Sequence, residues 1–191
     1  MEFEEKDLVA TATPDILQEI ARARALCREY YHSDYGDTAR RNAILRELFG
    51  SIGENVAIDT PFYCDHGKNI SIGSNVIISM NCTFVDNAPI VIGDNVMIAS
   101  NVQLYTAAHP VAAKERFVEG WREKGTVFFR TYARPIVIED GAWIGGGVIL
   151  LPGVTVGRNS VIGAGSVVTR SIPADCVAVG SPCKVIRTIE N

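Results

Sequence analysis

The chain has 191 residues, of which 47% are apolar and 21% charged, and a net charge of −4. Those proportions fit one principal domain with a continuous core and exclude a disordered or polyionic chain. The acidic balance argues against nucleic acid as a partner, the acidic start Glu2-Phe3-Glu4-Glu5 has no secretory-signal pattern, and no apolar run approaches the roughly 20 residues of a membrane span.

Residues 1–50 read as a helical cap. Thr13-Pro14-Asp15 is a helix start, with Thr13 able to cap and Pro14 suited to the first turn. Ile16, Ile20, Ala23, Leu26, Cys27 and Tyr30 then recur at helical spacing. The stretch from His32 to Asp37 breaks that stripe. A second helix follows with Ile44, Leu45, Leu48 and Phe49 on one face, and Gly50 is its expected terminator.

From Ile52 the apolar period changes to six. Ile72, Ile78 and Phe84 form one series, Ile92, Ile98 and Leu104 another. The longest runs through Ile138, Ile144, Leu150, Val156, Ile162 and Val168. A second small or branched residue comes four places after the first, as at Val76, Cys82, Val96, Val102, Ala142 and Val148. Six fits neither a helix at 3.6 nor a strand at 2. It fits a strand plus a corner, with three such sides closing a triangular coil of 18 residues. Each coil needs neighbours to cover its apolar side chains, so coils stack. Residues 51–191 are therefore expected to be a β-helix with a C-terminal extension.

The register slips in three places. Two extra residues fall around Tyr63–Gly67 and two more around Asp86–Pro89. The large break is an excursion over about residues 106–134, which opens with Thr106-Ala107-Ala108-His109-Pro110. It carries Phe117, Trp121, Phe128, Phe129 and Tyr132, too many large apolar groups for a plain linker, and is expected to wall a site or pack on a neighbouring subunit. Five cysteines, Cys27, Cys64, Cys82, Cys176 and Cys183, are odd in number and lack Cys-x-x-Cys spacing. They read as free thiols in a reducing cytoplasm, not as disulfides or a zinc site, and no metal is expected.

The hexads resemble those of the left-handed β-helix acyltransferases. Left-handed coiling is implied by that resemblance; the period alone does not give it, because β-crossovers are usually right-handed. Cys64-Asp65-His66-Gly67, Asn81-Cys82-Thr83-Phe84-Val85-Asp86, Ala108-His109-Pro110, Trp143-Ile144-Gly145-Gly146, Ile162-Gly163-Ala164-Gly165 and Gly180-Ser181-Pro182-Cys183-Lys184 stand in an order that is similar to the maltose and galactoside O-acetyltransferases, which include nodulation acetyltransferases. The resemblance covers nearly the whole chain. It implies acetyl transfer from acetyl-CoA to a hydroxyl of a sugar-like acceptor, directly and without a covalent enzyme intermediate. It also implies a homotrimer with sites between subunits.

Carried over position by position, the resemblance makes His109 the general base. Neutral imidazole suits that task near pH 7. His66 and His32 are left as structural or surface groups. The acceptor positions are Asp65, Asn81, Asp86 and Asn87; Asn and Asp are also ordinary corner residues. The donor positions are Ser79, Trp143, Gly146, Ala164, Thr169, Arg170, Lys184 and Arg187, where small residues admit the pantetheine arm and cations face phosphates. The chain departs from the family at Ser79, where Asn is usual, at Thr11, where an acid is usual, at Glu29-Tyr30-Tyr31, and in the longer loop after His109. Three other readings remain at this level: a xenobiotic O-acetyltransferase of the same β-helix class, a γ-type carbonic anhydrase-like zinc lyase, which would need three gathered histidines, and a non-catalytic scaffold.

Overall fold

The computed structural model describes residues 3–190. Its body is a parallel β-helix with three flat faces. Face 1 stacks Ser51–Ile52, Ile70–Ile72, Ile90–Ile92, Ile136–Ile138 and Thr155–Val156. Face 2 stacks Ala57–Ile58, Ile77–Ile78, Met97–Ile98, Trp143–Ile144, Val161–Ile162 and Cys176–Val179, then a final antiparallel strand, Lys184–Thr188. Face 3 stacks Phe62–Cys64, Cys82–Val85, Gln103–Tyr105, Ile149–Leu150 and Val167–Val168. The chain visits the faces in the order 1, 2, 3 and starts again.

The hexad residues do what their spacing predicts. Ile78, Phe84, Leu104, Ile138, Ile144, Leu150, Val156, Ile162 and Val168 are fully buried and form one core. The register slips are real in space. Equivalent residues in the early coils lie 20 positions apart, as Ile52 and Ile72 do. In the later coils the interval is 18, as from Ile144 to Ile162. The extra pair therefore swells one corner, between faces 3 and 1. Corners stack so closely that some tolerate no side chain. A Cβ on Gly145 would lie 2.7 Å from Ile162 O.

The helical cap covers the first coil. α1 (Pro14–His32) starts as expected, with Thr13 Oγ accepting from Ile16 N at 3.4 Å. α2 (Thr38–Leu48) is capped by Asp37, whose Oδ1 accepts from Arg40 N at 3.0 Å. Tyr30 Oη donates to Ile58 O at 2.7 Å, and Arg41 Nη2 donates to the same carbonyl at 3.1 Å. The Phe49 ring meets Phe62 edge-on. Gly50 does not terminate α2 through a left-handed turn. The helix ends where Phe49 goes extended, and Gly50 lets the chain pass against the Lys68 backbone.

Residues 4–12 do not join the two cap helices. Leu8–Val9 forms a strand antiparallel to Thr131–Ala133, which in turn pairs with Ala107–Ala108. This three-stranded ribbon gathers the N-terminus and both feet of the excursion. Asp7 clamps it, accepting from Arg134 Nη2 at 2.6 Å and Nε at 3.0 Å. Those hydrogen bonds from Arg134 hold the Asp7 carboxyl below its ordinary range. No described helix is long and apolar enough to cross a membrane.

Candidate active site

His109 stands where the ribbon ends. Ala107 and Ala108 pair with Ala133 and Tyr132, so the ring emerges beside the returning strand. Its Nδ1 lies 2.8 Å from Arg130 O. A carbonyl only accepts, so Nδ1 carries a proton, and in the neutral ring the lone pair is then on Nε2. The Phe129 ring holds the imidazole edge-on at 5.5 Å. Phe129 in turn packs on Phe128, which meets Trp121 and Phe117. The excursion's aromatic residues thus form a small cluster that supports the histidine.

A cavity of about 590 Å³ lies between the N-terminal segment and the excursion, and reaches His109 only through the two residues that hold its ring. Its walls are Leu8 to Pro14 on one side and Val118, Gly125 to Val127, Phe129 and Arg130 on the other. Phe129 and Arg130 belong both to this wall and to the histidine's support. Thr11 is on the wall, at the place where the family usually has an acid.

The swollen corner stacks directly under this region. Asp65, Asp86 and Thr106 follow successive rungs of face 3. Asp86 corrects a sequence expectation. It is fully buried, so it makes no acceptor contact; its Oδ1 accepts from Asp65 N at 3.0 Å and His66 N at 2.8 Å. It holds the corner of the coil below. Burial pushes its carboxyl pKa up, outweighing the pull of the two amides. Thr106, also fully buried, does similar work, accepting from Ala88 N and donating to Val85 O. Gly67 makes the turn possible, with φ +73° and Leu48 against it.

His66 is locked in this corner. Its Nδ1 is 3.0 Å from Glu19 Oε1, and Asn87 Nδ2 lies 3.4 Å from its Nε2. Burial would raise the Glu19 carboxyl, but hydrogen bonds from Lys68 and His66 prevail and hold it low. Asp65 is half-buried, with Arg24 Nη2 at 3.9 Å. Asp65, Asn87 and His109 therefore share one edge of the prism.

Asn81 does not join them. It turns the corner between faces 2 and 3 with φ +62°, and its Nδ2 donates to Asn101 Oδ1 at 2.6 Å, one rung of an asparagine ladder. The donor positions gather mostly on Asn81's side. Ser79, Gly146 and Ala164 follow the face 2 strands at that same corner, and Gly165 N bonds Gly146 O. The corner is nearly bare backbone: a Cβ on Gly147 or Gly165 would meet nothing within 4 Å. Trp143 projects from face 2 with about half its surface exposed, and Lys184 and Arg187 are exposed on the last strand. Thr169 and Arg170 are the exceptions, because they follow face 3 and sit above the His109 edge. Face 3 separates the two edges by about 13 Å, the span of a four-residue strand such as Cys82–Val85. Within one chain, donor corner and histidine are apart. Among the described residues no three His, Cys, Asp or Glu side chains gather as a metal site.

Sequence reasoning missed Arg130, whose contribution is a backbone carbonyl, and Glu19, whose partner His66 lies 47 positions away. Neither carries a local signal.

Three family models match the chain. Residues 10–53 match the maltose acetyltransferase hexapeptide capping motif, residues 69–106 the hexapeptide repeat of succinyl-transferase, and residues 135–170 the bacterial transferase hexapeptide of six repeats. The galactoside O-acetyltransferase of Escherichia coli is 42% identical over 170 residues, 89% of this chain and 79% of that protein. The chain belongs to the hexapeptide-repeat acetyltransferases of the maltose and galactoside O-acetyltransferase family. A maltose O-acetyltransferase from Clostridium difficile superposes with a TM-score of 0.87 at 42% identity, covering 96% of this chain and 93% of that one. A hexapeptide-repeat acetyltransferase from Vibrio cholerae, complexed with acetyl-CoA, gives 0.84 at 39% identity, covering 94% and 92%. Membership makes the coil the left-handed β-helix expected from the hexads and makes the chain an acetyltransferase using acetyl-CoA.

Proposed function

We propose that this acetyltransferase moves the acetyl group of acetyl-CoA to a hydroxyl of a sugar or sugar-like acceptor, with His109 as general base. The observation that carries the reading is the Nδ1 bond to Arg130 O, which leaves Nε2 as the accepting nitrogen, beside two residues, Phe129 and Arg130, that line the 590 Å³ cavity. Nε2 takes the hydroxyl proton as the acceptor oxygen attacks, and the phenylalanine behind the ring keeps it aimed. Acetyl-CoA supplies an acetyl group activated as a thioester. Asp65, Asn87 and the threonines of the cavity wall offer hydrogen bonds to a polyhydroxy acceptor. The capping-motif match over residues 10–53 supports a sugar-directed enzyme over a xenobiotic one.

The functional unit in this reading is a homotrimer. Donor corner and histidine lie on different edges of one chain, so a neighbouring copy has to bring its donor corner to His109. Face 2 offers the surface for that: Ile77, Met97 and Trp143 stack on successive rungs, each about half exposed. Charged and polar surroundings of such a stripe mark an interface. Five free thiols fit a reducing cytoplasm.

The test is CoA release with acetyl-CoA and a panel of sugars and glycosides. His109→Ala is expected to lower kcat by about 10²–10⁴-fold with the KM for acetyl-CoA unchanged. Wild-type kcat in that variant would remove His109 from the mechanism, and no turnover on any sugar would remove the acceptor class.

A further inference from the structure

Two of the five cysteines touch. Cys27 Sγ, on α1, lies 3.7 Å from Cys64 Sγ, at the end of the first face 3 strand. They are 37 positions apart and belong to different parts of the fold. Two of the other three thiols have backbone company instead: Cys82 Sγ faces Ala99 O and Cys176 Sγ faces Ala174 O, each at 3.3 Å. Neither the hexad pattern nor the acetyl-transfer site uses the 27–64 pair.

The pair is also reachable. Cys27 and Cys64 line a cavity of about 480 Å³ between α1 and face 3, which Asp65 also lines and which is separate from the one between the N-terminal segment and the excursion. Arg24 and Arg28 flank it. Cys27 is half-buried, while Cys64 is 7% exposed.

We propose that Cys27 and Cys64 are an oxidation site, closed by a peroxide into a reversible disulfide that staples the helical cap to the first coil. The two sulfurs must approach from 3.7 Å to about 2.05 Å. Cys27 is the nucleophile, because it is the more exposed of the two thiols and the one a peroxide in the cavity reaches. The Cys64 S–H hydrogen bond to Cys27 lowers the Cys27 pKa, and the same contact with burial raises that of Cys64. The Cys27 thiolate attacks the peroxide and breaks its O–O bond. One oxygen stays as Cys27 sulfenic acid; the other leaves as hydroxide and takes up a proton. Cys64 then loses its proton and attacks the Cys27 sulfur, the S–S bond forms, and the S–O bond breaks to release water. Two thiols lose two electrons, the peroxide gains them, and two waters result. Forming the sulfenic acid removes the thiolate that held the Cys64 proton, so the resolving step follows readily.

The test uses the reduced full-length protein, hydrogen peroxide and mass spectrometry after non-reducing proteolysis. The expected product is lighter by two hydrogen atoms, carries one bridge joining Cys27 to Cys64, and reverts with dithiothreitol. Closing a loop of that length is expected to raise Tm by about 5–15 °C. In Cys64→Ser, Cys27 is expected to stop at the sulfenic acid and be trapped by dimedone. Both thiols remaining alkylatable under peroxide that oxidises free glutathione would overturn the proposal. So would a bridge to Cys82, Cys176 or Cys183 in the folded protein. None of these readouts depends on acetyl transfer, so the proposal can fail while the enzymatic reading stands.

Discussion

Replacing Asp86 separates two roles that a carboxylate can have at this corner. Asp86→Ala leaves the buried His66 amide and the partly buried Asp65 amide without their acceptor. Each unpaired buried amide costs about 1–3 kcal/mol, so the loss is about 2–6 kcal/mol before any offset. The offset is relief of the desolvation that raises the Asp86 pKa. A net loss of about 2–4 kcal/mol is expected. Asp86→Asn keeps an oxygen for both amides and exchanges the unpaired Oδ2 for an unpaired amino group. It is expected to stay within about 1 kcal/mol of wild type. Urea denaturation followed by circular dichroism measures both. The pH dependence has a definite sign. A carboxyl raised in the folded state contributes most below its ordinary value of 3.8, and the contribution fades as pH rises through the folded value. Wild type should therefore lose ground to Asp86→Asn as pH rises from 3.8. An Asp86→Ala variant as stable as wild type, but with a raised acceptor KM, would refute the buried-anchor reading and restore Asp86 to the acceptor site.

Two further perturbations probe the ribbon and the interface. The Asp7 carboxyl, held low by Arg134, stabilises the N-terminal strand above its unfolded value and loses that effect as pH falls below 3.8. Arg134→Ala should mimic acid, exposing residues 4–12 to protease near neutral pH while the coil stays protected; unchanged cleavage would show that the clamp is dispensable. Met97→Glu places a charge in the middle of the face 2 stripe. It should convert the proposed trimer to monomer by light scattering and abolish acetyl transfer together, whereas an active monomer would mean that one chain holds a whole site.

The coil was legible because a six-residue period puts one residue inward at every side, and Ile138, Ile144 and Leu150 obey it without exception. The slips were legible for the same reason, as departures from an otherwise regular count. What lay hidden was direction. Asp86 and Asn87 are adjacent in sequence at one swollen corner, yet one points into the coil and the other to its edge. Asn81 and Asp86 are five positions apart but turn opposite ends of one face, because a strand lies between them. The Leu8–Val9 strand was invisible, since two apolar residues say nothing until Thr131–Ala133 arrives to pair with them. Cys27 and Cys64 stand 37 positions apart, and nothing in that spacing announced that their sulfurs meet.

The two ends of the coil are closed by different means, and this fixes how long it can be. Any rung of parallel strands left bare is a template for an identical rung from another molecule, and head-to-tail addition of that kind does not stop by itself. At one end α1 and α2 cover the template, with Tyr30 and Arg41 occupying the Ile58 carbonyl that a further strand would need. At the other, Lys184–Thr188 runs antiparallel along Cys176–Val179, so the chain's own reversed strand fills that edge. The helical cap and the final strand are thus barriers to polymerisation, and a molecule stripped of either would be a seed for fibres.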